Sequence, residues 1–150
     1  MHGLWPEVPP YGNSQCVAPG DSTPPSVVYP CYAPSKAKNY GAGAGLGPLA
    51  FEQHEWSAHG QCSGTQSADD FFGQICKLSG APIATLESVG FSSLDSAVAV
   101  LTQAGYAIFA TDTNNAQIEL SACLNQTSGL WTLAAVSDFP TVCGGSAKKQ

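Results

Sequence analysis

Phe51-Glu52-Gln53-His54-Glu55-Trp56-Ser57-Ala58-His59-Gly60-Gln61-Cys62 holds two of the three histidines in a chain of 150 residues. The third opens the segment His2-Gly3-Leu4-Trp5-Pro6-Glu7, again close to a tryptophan and a glutamate. A lone histidine is most often a satisfied surface or core residue, but all three in two dense segments point to chemistry. Spacing narrows that chemistry. A zinc site read from one helix needs imidazoles at i and i+4 on a shared face. His54 and His59 are five apart, which turns their rings about 140° away from each other on a helix. The other use of two imidazoles is an acid and base pair. With an ordinary pKa near 6.5, one ring can be neutral and another protonated at mildly acidic pH, as concerted proton transfer requires. Glu55, beside His54, is placed to orient a ring or raise its pKa.

Outward from this segment the chain divides in two. Residues 1 to 50 carry nine of the 11 prolines and the alternating glycines Gly41, Gly43, Gly45 and Gly47, so residues 8–50 are expected to be mostly loop, with Cys16 and Cys31 pinning it by bridges. From Phe51 onward the pattern is regular. A short segment around Phe51 to Gly60 is followed by an expected helix from Ser67 to Leu78, with a serine cap and Asp69 and Asp70 in its first turn. A second helix is marked by Ser92 or Ser93 as cap, by Leu94, Ala97, Val98 and Leu101 at helical spacing, and by Gly105 as the stop. Tyr106 to Ala110, Gln117 to Cys123 and Leu130 to Val136 read as three antiparallel strands, with turns at Asn114-Asn115 and Ser128-Gly129. No repeat of fixed period occurs, which excludes solenoids and propellers.

Composition removes several classes of function. Charged residues are 11% of the chain, against roughly 25% in an ordinary soluble domain. The formal charge is -6, and the five basic residues are all lysines (Lys36, Lys38, Lys77, Lys148, Lys149). A broad basic surface for gripping nucleic acid is thereby excluded, and any phosphate must be held by imidazolium, backbone N–H groups or a lysine. Six cysteines with no Cys-x-x-Cys pair fit disulfides in an oxidising compartment rather than zinc or thiol redox work. The N-terminus has neither the basic nor the apolar region of a signal peptide, and no stretch approaches the roughly 18 apolar residues of a membrane span.

The two histidine segments resemble the two active-site motifs of the ribonuclease T2 family, in the same order and about fifty residues apart, and the resemblance continues through Asp69-Asp70-Phe71-Phe72 to Cys123 and Cys143. It implies one disulfide-stabilised α+β domain over residues 1–150, with helices packed on a central antiparallel β-sheet. It also implies metal-free cleavage of single-stranded RNA, without a cofactor, by attack of the ribose 2′-OH on the adjacent phosphorus to give a 2′,3′-cyclic phosphate. DNA, lacking that hydroxyl, is not a substrate. Carried over by position, His59 is the general base, His2 the general acid, His54 a phosphate ligand and Glu55 an assistant at the charged transition state. Trp5, Glu7 and Phe51 fall where members of the family contact bases, and stacking on an aromatic ring contributes about 1–3 kcal/mol per base. Core packing competes as a reading for Trp5 and Phe51, and is the reading we favour for Trp56. A monomer, secreted or vacuolar/lysosomal and free of membrane, is expected.

This sequence departs from the family pattern at two places. The lysine that precedes the last histidine of the second motif is here Ala58; losing one such transition-state donor costs about 2.7–4 kcal/mol, and Lys36 or Lys38 would have to take its place. Family members also carry several dozen residues before the first motif, including a strand beside it, so an N-terminally incomplete domain is expected. By resemblance Cys123 pairs with Cys143 and Cys16 with Cys62. Cys31 and Cys76 then pair with each other, or one is an orphan of the missing segment. Asn125-Gln126-Thr127 is an N-glycosylation sequon in an expected turn. Two rival readings stand beside the enzyme: a secreted T2-like protein that only binds nucleotides or a partner, and a metal site built from His2, His54 and His59.

Overall fold

The structure, a computed structural model, describes residues 2–6, 19–32, 47–125 and 127–144. It forms two compact units, residues 1–77 and 78–150.

In the first unit, helix α1 spans Pro48–Ala58. Proline at its first position has no N–H to leave unsatisfied and a φ already suited to the helix. Phe51, Glu52, Glu55 and Trp56 form its buried stripe. Half of that stripe is carboxylate, which an ordinary core helix does not bury without partners. A 3-10 turn, Gly60–Cys62, follows at once. Helix α2, Ala68–Val89, of which residues 68–77 belong to this unit, begins as expected: the Ser67 hydroxyl accepts from the Asp70 amide at 3.3 Å, and Asp69 and Asp70 occupy the first turn. It does not end at Leu78. Ser79, Gly80 and Pro82 are breakers on paper, yet the helix continues through them to Gly90, whose φ of +78° stops it. Pro82 forfeits only the bond to the Leu78 carbonyl, while its own side chain is buried. The core of this unit is aromatic: Tyr32, Phe51, Trp56, Phe71, Phe72 and Ile75, with Leu4 and Tyr29 against it. Trp56 is a core residue, fully buried and donating its indole N–H to the Ser22 carbonyl.

In the second unit, α3 spans Leu94–Gln103, capped by Ser93 in a reciprocal capping box with Ser96; Gly105, at φ +88°, follows its end. The expected strands 106–110, 117–123 and 130–136 become four: β1 (Ile108–Asp112), β2 (Gln117–Leu120), β3 (Ala122–Asn125) and β4 (Leu130–Leu133). Strands β1 and β2 form one antiparallel ladder, β3 and β4 another. The central sheet expected from the resemblance is therefore corrected to two small sheets among the described residues. Ser121 is where the expected middle strand changes partner: its amide donates to the Ala107 carbonyl, and its carbonyl accepts from the Ala134 amide. The turn between β1 and β2 is fixed by Asp112, whose carboxylate accepts from the Asn114 and Asn115 amides.

The class is α+β and disulfide-bonded. Cys123 of β3 bonds Cys143, as expected, and Cys31 bonds Cys76, the first of the two alternatives for that pair. Cys62 is also disulfide-bonded, and Cys16, its expected partner, lies outside the described residues. Among the described residues, no single helix is long and apolar enough to cross a membrane.

Candidate functional site: an imidazole and carboxylate cluster

The first unit gathers His2, Trp5, Phe51, Glu55 and His59 into one cluster, although the sequence separates its ends by more than fifty positions. Helix α1 does the positioning. Glu55 sits one turn after Phe51 on the buried stripe, and His59 is the residue at which α1 ends, its amide still donating to the Glu55 carbonyl at 3.0 Å. The cap takes φ -131°, which turns the chain into the following 3-10 turn. That turn runs against Trp56, because Gly60 has no side chain: a Cβ there would lie 2.3 Å from the indole Cε3.

The first-motif segment closes over Glu55 in the same manner. Gly3 passes so near that a Cβ would lie 2.9 Å from Glu55 Oε2, and on either side of it His2 and Trp5 reach the carboxylate. His2 Nδ1 is 3.5 Å from Oε1, and the Trp5 indole N–H donates to Oε2 at 3.2 Å. The His2 ring meets Trp5 and Phe51 edge-on, with centroids 5.7 Å and 5.3 Å apart. Trp5 also lies over His59 at 5.2 Å and 34°.

Electrostatics distinguish the members. The Glu55 side chain is only 3% exposed. Burial alone would raise its pKa, but the His2 and Trp5 hydrogen bonds, with positive charge at His2 and His59, outweigh burial and hold the carboxyl below its ordinary value. Glu55 is thus a buried anion with donors aimed at it. Burial pushes the His59 imidazole below its ordinary value; Glu55 pulls it upward, while charge at His54 and His2 pushes it down again. A ring so placed is neutral, and able to accept a proton, at a more acidic pH than a free histidine.

His54 lies exposed on α1, apart from the buried stripe, and Ala58 is exposed at the same helix's end. Trp5 is 38% exposed and keeps part of its ring open to a stacking partner, whereas Phe51 is 5% exposed and serves the cluster as a wall. Glu7, Lys36 and Lys38 lie outside the described residues. Among the described residues, no three His, Cys, Asp or Glu side chains are grouped so as to hold a metal ion.

Three residues to which the resemblance gives no role, Tyr29, Tyr32 and Glu52, also support the cluster. The Tyr32 hydroxyl donates to the His2 backbone carbonyl, the Tyr29 amide donates to Glu52, and Glu52 is wholly buried on α1. The spacing of Glu52 to Trp56, parallel to that of Phe51 to Glu55, is the signal that could have found Glu52. Tyr29 and Tyr32 sit in proline-rich chain without periodicity, and only the adjacent Cys31 marks them.

The second unit has a cavity of ≈ 370 Å³ bordered by Tyr106, Leu120, Leu133 and Asp138 among others. Its lining contains one carboxylate and no imidazole. The fold and the site define a disulfide-bonded α+β protein in which one imidazole and a partly exposed indole meet a buried carboxylate, with a second imidazole against the indole. Comparison with protein-family models, with curated proteins and with solved structures found no match for this chain.

Proposed function

We propose that this protein is a metal-independent endoribonuclease of the ribonuclease T2 type, cleaving single-stranded RNA by transesterification. The observation that carries the reading is the buried Glu55 carboxylate with His2 against one oxygen and the Trp5 indole, itself packed on His59, bonded to the other. Transesterification needs one imidazole to take a proton and another to give one, with fixed negative charge nearby to stabilise the protonated rings.

In this reaction His59, kept neutral by burial, removes the 2′-OH proton. The 2′ oxygen bonds to phosphorus, the bond from phosphorus to the 5′ oxygen breaks, and His2 donates the proton that the leaving oxygen needs. The products are a 2′,3′-cyclic phosphate and a 5′-hydroxyl. His54 neutralises the phosphate from the exposed side of α1, and Trp5 offers the stacking surface for a base. Phe51 closes the cluster behind His2, and Glu7 completes base recognition. The enzyme uses no cofactor, acts on RNA and not DNA, and works as a monomer free of membrane. Its disulfides fit the secreted or vacuolar/lysosomal setting in which we place it.

Ala58 favours a second reading, a T2-like protein that binds nucleotides without cutting them. Incubation with single-stranded RNA in EDTA between about pH 4 and pH 7, beside His59→Ala, separates the two. Cleavage that survives EDTA and vanishes in the variant supports the enzyme. Retained nucleotide binding without cleavage supports the binder, and cleavage abolished by EDTA defeats both.

A further inference from the structure

Glu52 is the second carboxyl on the buried stripe of α1 and takes no part in the chemistry above. It has 0% exposure. Its Oε1 accepts the Tyr29 amide at 2.9 Å, and its Oε2 has no hydrogen-bond partner among the described residues. An anion there would be buried with half of its hydrogen-bonding capacity unmet. Tyr29 leads into the 3-10 turn Pro30–Tyr32, with the Tyr32 amide donating back to the Tyr29 carbonyl at 2.9 Å. Cys31 fastens the turn to Cys76 of α2, and the Tyr29 hydroxyl donates to Asp69 of the same helix. Tyr32 is 2% exposed, with its ring against Phe51 and Phe72, and its hydroxyl donates to the His2 carbonyl.

We propose that Glu52 and Tyr32 are positioning residues for His2: Glu52 holds the turn by the Tyr29 amide, and Tyr32, carried by that turn, holds the backbone from which the His2 imidazole projects. Proton donation demands placement to within about half an ångström, and the Tyr32 hydroxyl bonded to the His2 carbonyl supplies such a restraint. The importance of this placement for catalysis rests on the reading of His2 as general acid; the structural link does not.

The link is sensitive to pH in a stated direction. Burial pushes the Glu52 carboxyl upward, against a smaller opposing effect of the Tyr29 amide. The folded chain therefore holds this proton more tightly than the unfolded chain, and the contribution to stability is complete below the ordinary carboxyl value. It is lost as pH rises through the raised one. The ionisable group coupled to Glu52 is the Tyr29 phenol, whose own hydroxyl donates to Asp69 of α2. No cationic side chain among the described residues is bonded to Glu52. Glutamine keeps the oxygen that accepts from Tyr29 and removes the proton, so Glu52→Gln isolates the titration.

The test follows the nuclear Overhauser contact between the Tyr32 ring and His2 in the full chain, from about pH 4 to pH 8, with kcat and KM for RNA cleavage in parallel. Wild type is expected to lose the contact, and kcat with it, at a lower pH than Glu52→Gln. Tyr32→Phe is expected to lower kcat about ten- to a hundredfold with KM unchanged, and to abolish the difference that Glu52→Gln makes. Loss of the contact at one and the same pH in wild type and Glu52→Gln overturns the proposal, as does a Tyr32→Phe enzyme with wild-type kcat. If no form of the protein cuts RNA, the proposed activity falls, and the Overhauser contact still decides whether Glu52 governs His2.

Discussion

Replacing Glu55 by glutamine removes the buried charge and keeps the shape. Oε1 lies 3.5 Å from His2 Nδ1, and Oε2 accepts the Trp5 indole N–H at 3.2 Å. Unit charges about 4 Å apart attract by about 4 kcal/mol at an effective dielectric of about 20. The His2 side chain is 28% exposed, so water screens part of this, and the range for hydrogen bonds to a charged group, about 1.5–3 kcal/mol, is the appropriate loss. For a chain of this size that corresponds to a fall in Tm of roughly 3–12 °C. Because the native carboxyl sits below its ordinary value, its contribution is present above the unfolded-state pKa and disappears as pH falls through the native one. The difference in Tm between wild type and variant should therefore be full near pH 6 and shrink in acid. Glu55 is also the one influence that raises the His59 pKa, against burial, His54 and His2. In Glu55→Gln the His59 resonance should titrate at a still lower pH, and kcat for RNA should fall about a hundredfold. Calorimetry across pH with proton NMR of the imidazoles measures both effects. A His59 pKa that stays or rises in the variant would refute the reasoning, because it would mean that the carboxylate does not act on this ring.

Three other outcomes follow from single positions. Ala58→Lys restores a cation at the exposed end of α1 and should raise kcat by about 10²–10³ with little change in KM, measured by steady-state RNA cleavage; an unchanged rate would show that the missing lysine is not limiting. Gly60→Ala should destabilise by about 1–3 kcal/mol in urea unfolding, since its Cβ would enter the Trp56 ring. Ser121→Ala should be neutral or stabilising in the same assay, because the buried serine hydroxyl has no hydrogen-bond partner among the described residues.

The site was more legible than the fold around it. His2, Glu55 and His59 lie in dense segments whose glycines, Gly3 and Gly60, fill positions where a Cβ would collide with Glu55 or Trp56, so residue identity alone marks the close approach. Helix α3 was equally plain, because the serine cap at Ser92 or Ser93, the spacing of Leu94, Ala97, Val98 and Leu101, and Gly105 are local signals read from local chain. Helix α2 was not: it runs on through Gly80 and Pro82, although both disfavour a helix interior. The change of partner at Ser121 left no sign either, since it is decided by the distant carbonyl of Ala107 and amide of Ala134. Glu52 is marked only by its helical spacing from Trp56, because its partner, the Tyr29 amide, lies more than twenty positions earlier.

The central claim is a transesterification that consumes the 2′-OH, and the most direct measurement is product analysis on an oligoribonucleotide carrying a single 2′-deoxy residue. In EDTA at mildly acidic pH, mass spectrometry should find 2′,3′-cyclic phosphate ends at the ribose positions and none at the deoxy position. An oligonucleotide left intact, or cut at the deoxy position, would contradict the account.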